Sequence, residues 1–359
     1  MIETPPKRFL TRGPQPSPVE RLRTLAAALP GDAEPDLYGA GALVADLERE
    51  VAALLGKESA VFATSGKTVQ LSALRVHADR RGRTLVAAHP RSHIVEDEND
   101  AIGALYGLRV ACVGSPFAPY TLTELAAVRE PLAAAVVELP LRRAGFQVPA
   151  WDELVALADH ARRAGAAFHL DGARLWEMAP GYGRSLAEIA ALADTVYVSF
   201  YKGLGGLAGA ALAGDADTID AARTWIGRAG GVLYRAYPYA VAAREGLRTE
   251  LPRMPEYYAR AVEIAAALRD VPGVAVSADP PACNGFCVYL DGAHDALAAA
   301  RDAIAESHGL VVFGAQLGRT PNPRTSFFEL VVERGNADVP VAEIRDAIAA
   351  VVRLAAASR

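Results

Sequence analysis

Two side chains, Asp171 and Lys202, combine residue type and placement in a way that suits chemistry. Asp171 follows Phe168, His169 and Leu170, the end of an apolar strand, and Lys202 follows a second apolar strand, Val196 to Phe200. Directly after the lysine comes the flexible run Gly203, Leu204, Gly205, Gly206. Both residues are therefore expected at the carboxyl ends of strands, the edge at which open α/β sheets bind ligands. A lysine amine forms a Schiff base with an aldehyde, and an aspartate held against a pyridine nitrogen keeps that nitrogen protonated and the ring electron-withdrawing. Acid and amine together predict a pyridoxal phosphate site, whereas either alone could be a helix cap or a surface cation.

The elements that must position them follow from periodicity. Leu43, Leu47, Val51, Leu54 and Leu55 recur at helical spacing and Gly56 supplies the stop. Thr64, Ser65, Gly66, Lys67 and Thr68 open the next helix, where exposed N–H groups and the helix dipole favour an anion. The Gly-Lys-Thr triplet is not a nucleotide P-loop, because the glycine required five residues before Gly66 is Val61. After a strand at 84–88, His89 and His93 with Glu96 and Asp97 could ligate a metal, but a capped, solvated acidic face accounts for the charges and no metal is assigned. Alternating strand and helix signals from Ala134 to Arg174 predict βαβ units and a mostly parallel sheet. Gly203, Gly205 and Ala208 mimic a dinucleotide turn, yet 208–213 reads as a returning strand, which disfavours nicotinamide or flavin. The division expected is a proline-rich arm at 1–40, a large α/β domain at 41–250 and a small C-terminal α+β domain at 251–359.

HLDGAR followed by SFYKGLGG, with PDLYGAGALVADLEREVAALLGKESAVFATSG upstream, resembles the threonine aldolase / β-eliminating lyase family of fold-type-I pyridoxal phosphate enzymes. The resemblance implies Lys202, Asp171, His93 and Arg174 as catalytic residues, with His93 stacked on the pyridine ring. It implies Ser65, Gly66, Lys67, His93, Asp171, Tyr201, Lys202 and Arg235 as cofactor contacts. It further implies an amino acid substrate, a homodimer or homotetramer with the arm and the Arg228–Arg235 turn at the interface, and retro-aldol cleavage of a β-hydroxy amino acid to glycine and an aldehyde, or β-elimination. Racemisation, transaldol transfer, transamination and a non-catalytic cofactor-binding scaffold are the alternatives. The chain departs from the family pattern at three places. After Glu138, where an asparagine and a substrate-side histidine are usual, stand Leu139, Pro140 and Leu141. The C-terminal arginine position falls on Phe328 or Glu329, and the N-terminal Arg-Ser-Asp-Thr string is replaced by Phe9, Leu10, Thr11 and Arg12. These losses predict weak activity on threonine and a preference for bulkier, more apolar or cationic groups beyond Cβ, with Arg12 or Arg235 as replacement carboxylate contacts.

A net charge of −5 without a long basic run argues against nucleic acid, which needs concentrated positive charge. Cys112, Cys283 and Cys287 are an odd set without metal-like spacing. With no apolar leader and no run of membrane-spanning length, the cytoplasm is the expected compartment.

Overall fold

The computed structural model describes residues 8–11, 16–314 and 317–357. The chain divides into two compact units, Pro18–Arg253 and the segments Met1–Ser17 with Met254–Arg359.

The larger unit is built on a seven-stranded sheet in the order Ser59–Ala63, Ala210–Gly214, Thr195–Ser199, Ala167–Gly172, Ala134–Glu138, Leu85–Ala88, Arg109–Cys112. The five strands from Thr195–Ser199 to Arg109–Cys112 are mutually parallel, and Ala210–Gly214 runs antiparallel to both of its neighbours. Runs such as AAVV and AALA are buried throughout, as expected of strands covered on both faces. The expected strand after the glycine run is thus present, and the sheet is mostly parallel.

Helix Gly66–Arg81 fixes the sheet's polarity relative to the site. Its first residue lies against Tyr197, near the carboxyl end of a strand; a Cβ on Gly66 would sit 2.1 Å from Tyr197 Oη. Three turns later His77 Nε2 meets Thr195 Oγ1 at 2.8 Å, at the amino end of that same strand. His169 Nδ1 reaches the same hydroxyl at 2.8 Å, so one threonine ties helix and two strands together. Burial pushes both imidazoles down to about 3, so they stay neutral. The helix therefore runs antiparallel to the strands and brings its N-terminus to their carboxyl edge.

In the smaller unit an antiparallel sheet has the order Gly318–Arg319, Thr325–Val331, Gly285–Asp291, Val274–Val276, and Arg8–Phe9 pairs in parallel with Leu310–Val311. Helices Met254–Leu268, His294–His308 and Val341–Ala357 belong to the same unit. Period-2 alternation along Thr325–Val331 buries Phe328 against Phe313, their ring centroids 5.1 Å apart. Phe328 is thereby a core residue, and Glu329 takes the other face of the strand. Leu10 is buried with its carbonyl accepting from Asn336 Nδ2 at 2.7 Å. Arg12 lies outside the described residues.

Helix Tyr237–Thr249 abuts the glycine run after the lysine. A Cβ on Gly246 would come within 2.4 Å of the Leu204 carbonyl oxygen, whereas Gly227, exposed in helix Ala216–Arg228, faces open space. Gly246→Ala should cost about 1–3 kcal/mol through overpacking, and Gly227→Ala should gain up to about 1 kcal/mol from helix propensity. Urea unfolding of the two variants against wild type measures both signs.

Candidate active site

Register places the first three residues of the site. Glu138, Asp171 and Tyr197 are directly paired across adjacent strands, so their side chains leave the sheet on one face at its carboxyl edge. Asp171 is 1% exposed, and its Oδ1 accepts from Ala173 N–H at 3.1 Å. Gln70, on helix Gly66–Arg81 above it and 1% exposed, adds a side-chain hydrogen bond. Burial pushes the Asp171 carboxyl up, while the charges of Lys202 and His93 pull it back toward the ionised form. Glu138 accepts from the backbone N–H groups of His93 at 2.8 Å and Arg142 at 3.2 Å. Burial and then the neighbouring Asp171 raise it to about 7.

Lys202 sits just beyond strand Thr195–Ser199. Burial, and next the Arg174 guanidinium, hold its amine below the ordinary lysine range, opposed by Asp171, Glu177 and Glu138. A lysine so displaced carries more of the neutral amine, the nucleophilic form. Arg174 follows the Asp171 strand, packs over the Phe146 ring with its guanidinium 5.6 Å from the centroid, and has its Nη1 3.8 Å from Glu177 Oε1. Glu177 is fully buried, and its Oε1 accepts from Gly203 N–H at 2.8 Å, directly below the lysine turn.

His93 starts a short helix after Ser92, and its Nδ1 lies 3.0 Å from Glu98 Oε1. That hydrogen bond raises the imidazole's proton affinity despite its partial burial, and the charges of Asp171 and Lys202 also act on it. Glu98 is itself 1% exposed and pushed up by burial. Lys67 Nζ donates to the Glu98 carbonyl at 3.1 Å, which joins the phosphate-type turn to the histidine segment. Ser65, the N-cap of the long helix, makes no capping bond with its side chain, so the first-turn N–H groups keep no partner from that hydroxyl.

Asp171, Lys202, His93, Arg174 and Glu138 therefore share one electrostatic cluster. Tyr201 is 40% exposed beside Tyr197. Arg235 has other partners: it donates to the Asp36 carbonyl and lies over the Tyr234 ring, 4.4 Å from its centroid. Asp36, fully buried, also accepts from Ala236 and Tyr237 N–H at 2.9 and 2.8 Å. Glu96 pairs with Arg91 and Arg143, and Asp97 with Arg143, so the acids once weighed as metal ligands hold surface arginines. Three contributors escaped the sequence reading, namely Gln70, Glu98 and Glu177. Gln70 and Glu177 had a signal, each a polar residue inside an apolar helical run, VQLSAL and LWEMA.

The residues fit pyridoxal 5′-phosphate. Gln70 Oε1, Glu98 Oε2 and Glu177 Oε2 are buried acceptors with no hydrogen-bond partner, one beside each of Asp171, His93 and Lys202. Buried polar atoms are seldom left unpaired, and orphaned acceptors around an acid, a flat imidazole and a weakly basic lysine suit a polar heterocycle. The helix N-terminus behind Ser65 suits its phosphate.

Comparison with known proteins agrees. A family model described as β-eliminating lyase matches residues 15–293. A crystal structure of a putative L-allo-threonine aldolase from Listeria monocytogenes EGD-E superposes with a TM-score of 0.91 at 35% identity, covering 96% of this chain and 95% of that one. A putative aromatic amino acid β-eliminating lyase/threonine aldolase from Exiguobacterium sp. 255-15 gives 0.90 and 35% over 97% of each chain. Low-specificity L-threonine aldolase 1 of Arabidopsis thaliana is 27% identical over 256 residues, 68% of this chain and 71% of that protein. By matched sequence and by shared architecture along nearly its whole length, the chain belongs to the threonine aldolase / β-eliminating lyase family of fold-type-I pyridoxal phosphate enzymes.

Proposed function

We propose that this enzyme cleaves β-hydroxy amino acids between Cα and Cβ, giving glycine and an aldehyde. The observation that carries the reading is the half-buried Lys202 amine, held toward its neutral form within one cluster with Asp171, Arg174 and His93. Lys202 would bear the cofactor, and its Nζ would then be available to hold a proton. Asp171 would keep the pyridine nitrogen protonated. Ser65, Gly66 and Lys67 would hold the phosphate at the helix N-terminus, and His93 would hold the ring. Pyridoxal phosphate supplies the sink for the electrons of the broken bond. Arg174 orients the substrate carboxylate. His93, its Nδ1 engaged with Glu98, has Nε2 left to take the β-hydroxyl proton. Borohydride reduction of the purified enzyme followed by peptide mapping should place the cofactor on Lys202, and a panel of β-hydroxy amino acids should release aldehyde. Labelling of Lys67 instead, or no aldehyde from any substrate, overturns the assignment.

Substrate choice follows from what stands after Glu138. Leu141 is 2% exposed and, with His89, Tyr120, Val137 and Pro149, walls a narrow recess of about 10 Å³ beside Glu138, room for no more than a water molecule. An aliphatic side chain at this position takes no hydroxyl proton, and its lack of polarity favours apolar substituents on Cβ. Phenylserine should therefore exceed threonine in kcat/KM by tenfold or more, about 1.4 kcal/mol of transition-state binding. Leu141→His should narrow the ratio, and a wild-type preference for threonine would refute the argument.

Assembly is read from exposed apolar surface. Tyr38, Val232, Leu233 and Tyr234 are all solvent-facing, and the Tyr38 and Tyr234 rings meet edge to face at 5.3 Å. Around them runs a groove of about 250 Å³ lined by Val44, Phe62 and Ile226. Contiguous apolar surface of this kind marks an interface, and we assign it to a second copy of the chain in a homodimer or homotetramer. Cys112, Cys283 and Cys287 form no disulfide among the described residues, which suits a reducing cytoplasm. Light scattering at assay concentration should return a dimer or larger species, and Leu233→Glu should shift it toward monomer.

A further inference from the structure

Glu177 is the buried acid of the site to which the reaction above gives no task. It stands in helix Leu175–Tyr182, one turn after Arg174. Its contacts divide between two oxygens. Oε1 accepts from Gly203 N–H, the peptide that follows Lys202, and faces Arg174 at 3.8 Å. Oε2 is buried without a partner. The fit below the turn is tight: a Cβ on Gly203 would lie 2.5 Å from Glu177 Oε1. That explains a glycine here on steric grounds, since Gly203 is not among the glycines with left-handed φ.

We propose that Glu177 is the positioning residue for Lys202: one oxygen pins the turn that carries the lysine, and the carboxylate stands between that turn and the Arg174 guanidinium. The inference rests on the reading that Lys202 carries the cofactor. A buried carboxylate must be matched by donors or cations, and here those in contact are one backbone N–H and one guanidinium. Arg174 drives the amine toward the neutral form that attacks an aldehyde, and Glu177 acts in the opposite sense. The lysine is thus kept between a permanent cation, which favours nucleophilic attack, and a fixed anion, which favours the protonated amine. A group that must bind an aldehyde and later carry a proton needs both tendencies in reach.

The two functions of the carboxylate separate in variants. Glu177→Gln keeps an oxygen for Gly203 N–H but removes the charge; Glu177→Ala removes both. The measurement is the pH dependence of Lys202 acetylation by acetic anhydride in apoprotein, followed by peptide mass spectrometry, which needs neither cofactor nor turnover. Glu177→Gln should lower the midpoint for Lys202 by about one pH unit, the usual effect of losing a neighbouring opposite charge, with an unchanged thermal midpoint. Arg174→Met should raise it by a similar amount. Glu177→Asp, which keeps the charge, should stay within a few tenths of wild type. The proton affinity of the lysine-bound cofactor, titrated by absorbance, should move with Glu177→Gln in the same direction. A Lys202 midpoint unmoved in Glu177→Gln and in Arg174→Met overturns the proposal. Cofactor mapped to a different lysine overturns the underlying reading instead, and leaves the apoprotein midpoints to be judged alone.

Discussion

Removing Asp171 from water, with Lys202 half-buried beside it, is the constraint to which the surrounding structure answers. An isolated buried charge costs far more than a folded domain can spare, so each must be matched by hydrogen bonds or by opposite charge. Asp171 receives Ala173 N–H, the Gln70 amide and the fields of Lys202 and His93. Lys202 feels Asp171, Glu177 and Glu138 against Arg174. No single pair closes this set, which is why the site draws on three strand ends, the first turns of two helices and the glycine run. The same matching makes the chemistry possible, because a lysine less basic than usual and an acid kept near cations are the states that aldehyde attack and ring protonation require.

Much of this was legible in the chain because it depends on local pattern. An apolar strand ending in Asp171, another ending before Lys202, and glycines directly after it are features of neighbouring residues, as is the helix start at Ser65 and Gly66. The bounds of Ala42–Leu55 and its left-handed Gly56 cap follow from the same kind of signal. Other features depend on what the sheet brings together. Nothing near Gln70 in the chain says that helix Gly66–Arg81 will cross above Asp171, or that His77 and His169 will share the hydroxyl of Thr195. The position of Arg235 shows the same limit. Asp36, far away in sequence, lies beside it, its carbonyl accepting from the guanidinium and its carboxylate accepting backbone N–H groups of the same turn.

Glu96, Asp97 and Glu98 show how identical residue types diverge within three positions. Glu96 and Asp97 face outward and pair with arginines, where exposed ion pairs contribute little. Glu98 turns inward, loses its water and becomes the partner of His93. Sequence alone treats the three as one acidic face, because helical spacing is undefined over a helix as short as His93–Glu96. Burial is what converts the third into a residue that bears on the site, since the low dielectric that raises its own proton affinity also strengthens its hold on the imidazole.

The departures from the family pattern bear on the same electrostatics. Leu141 is packed with Tyr120, Val137 and Pro149 beside a Glu138 whose carboxyl is raised to about 7 by burial and by the neighbouring Asp171. A polar neighbour would stabilise the ionised form of Glu138; an apolar wall does the reverse. The substitution therefore changes more than the shape offered to a substrate. It places an apolar side chain beside the carboxylate that shares the sheet edge with Asp171, so the wall at Leu141 and the two paired acids are parts of one arrangement.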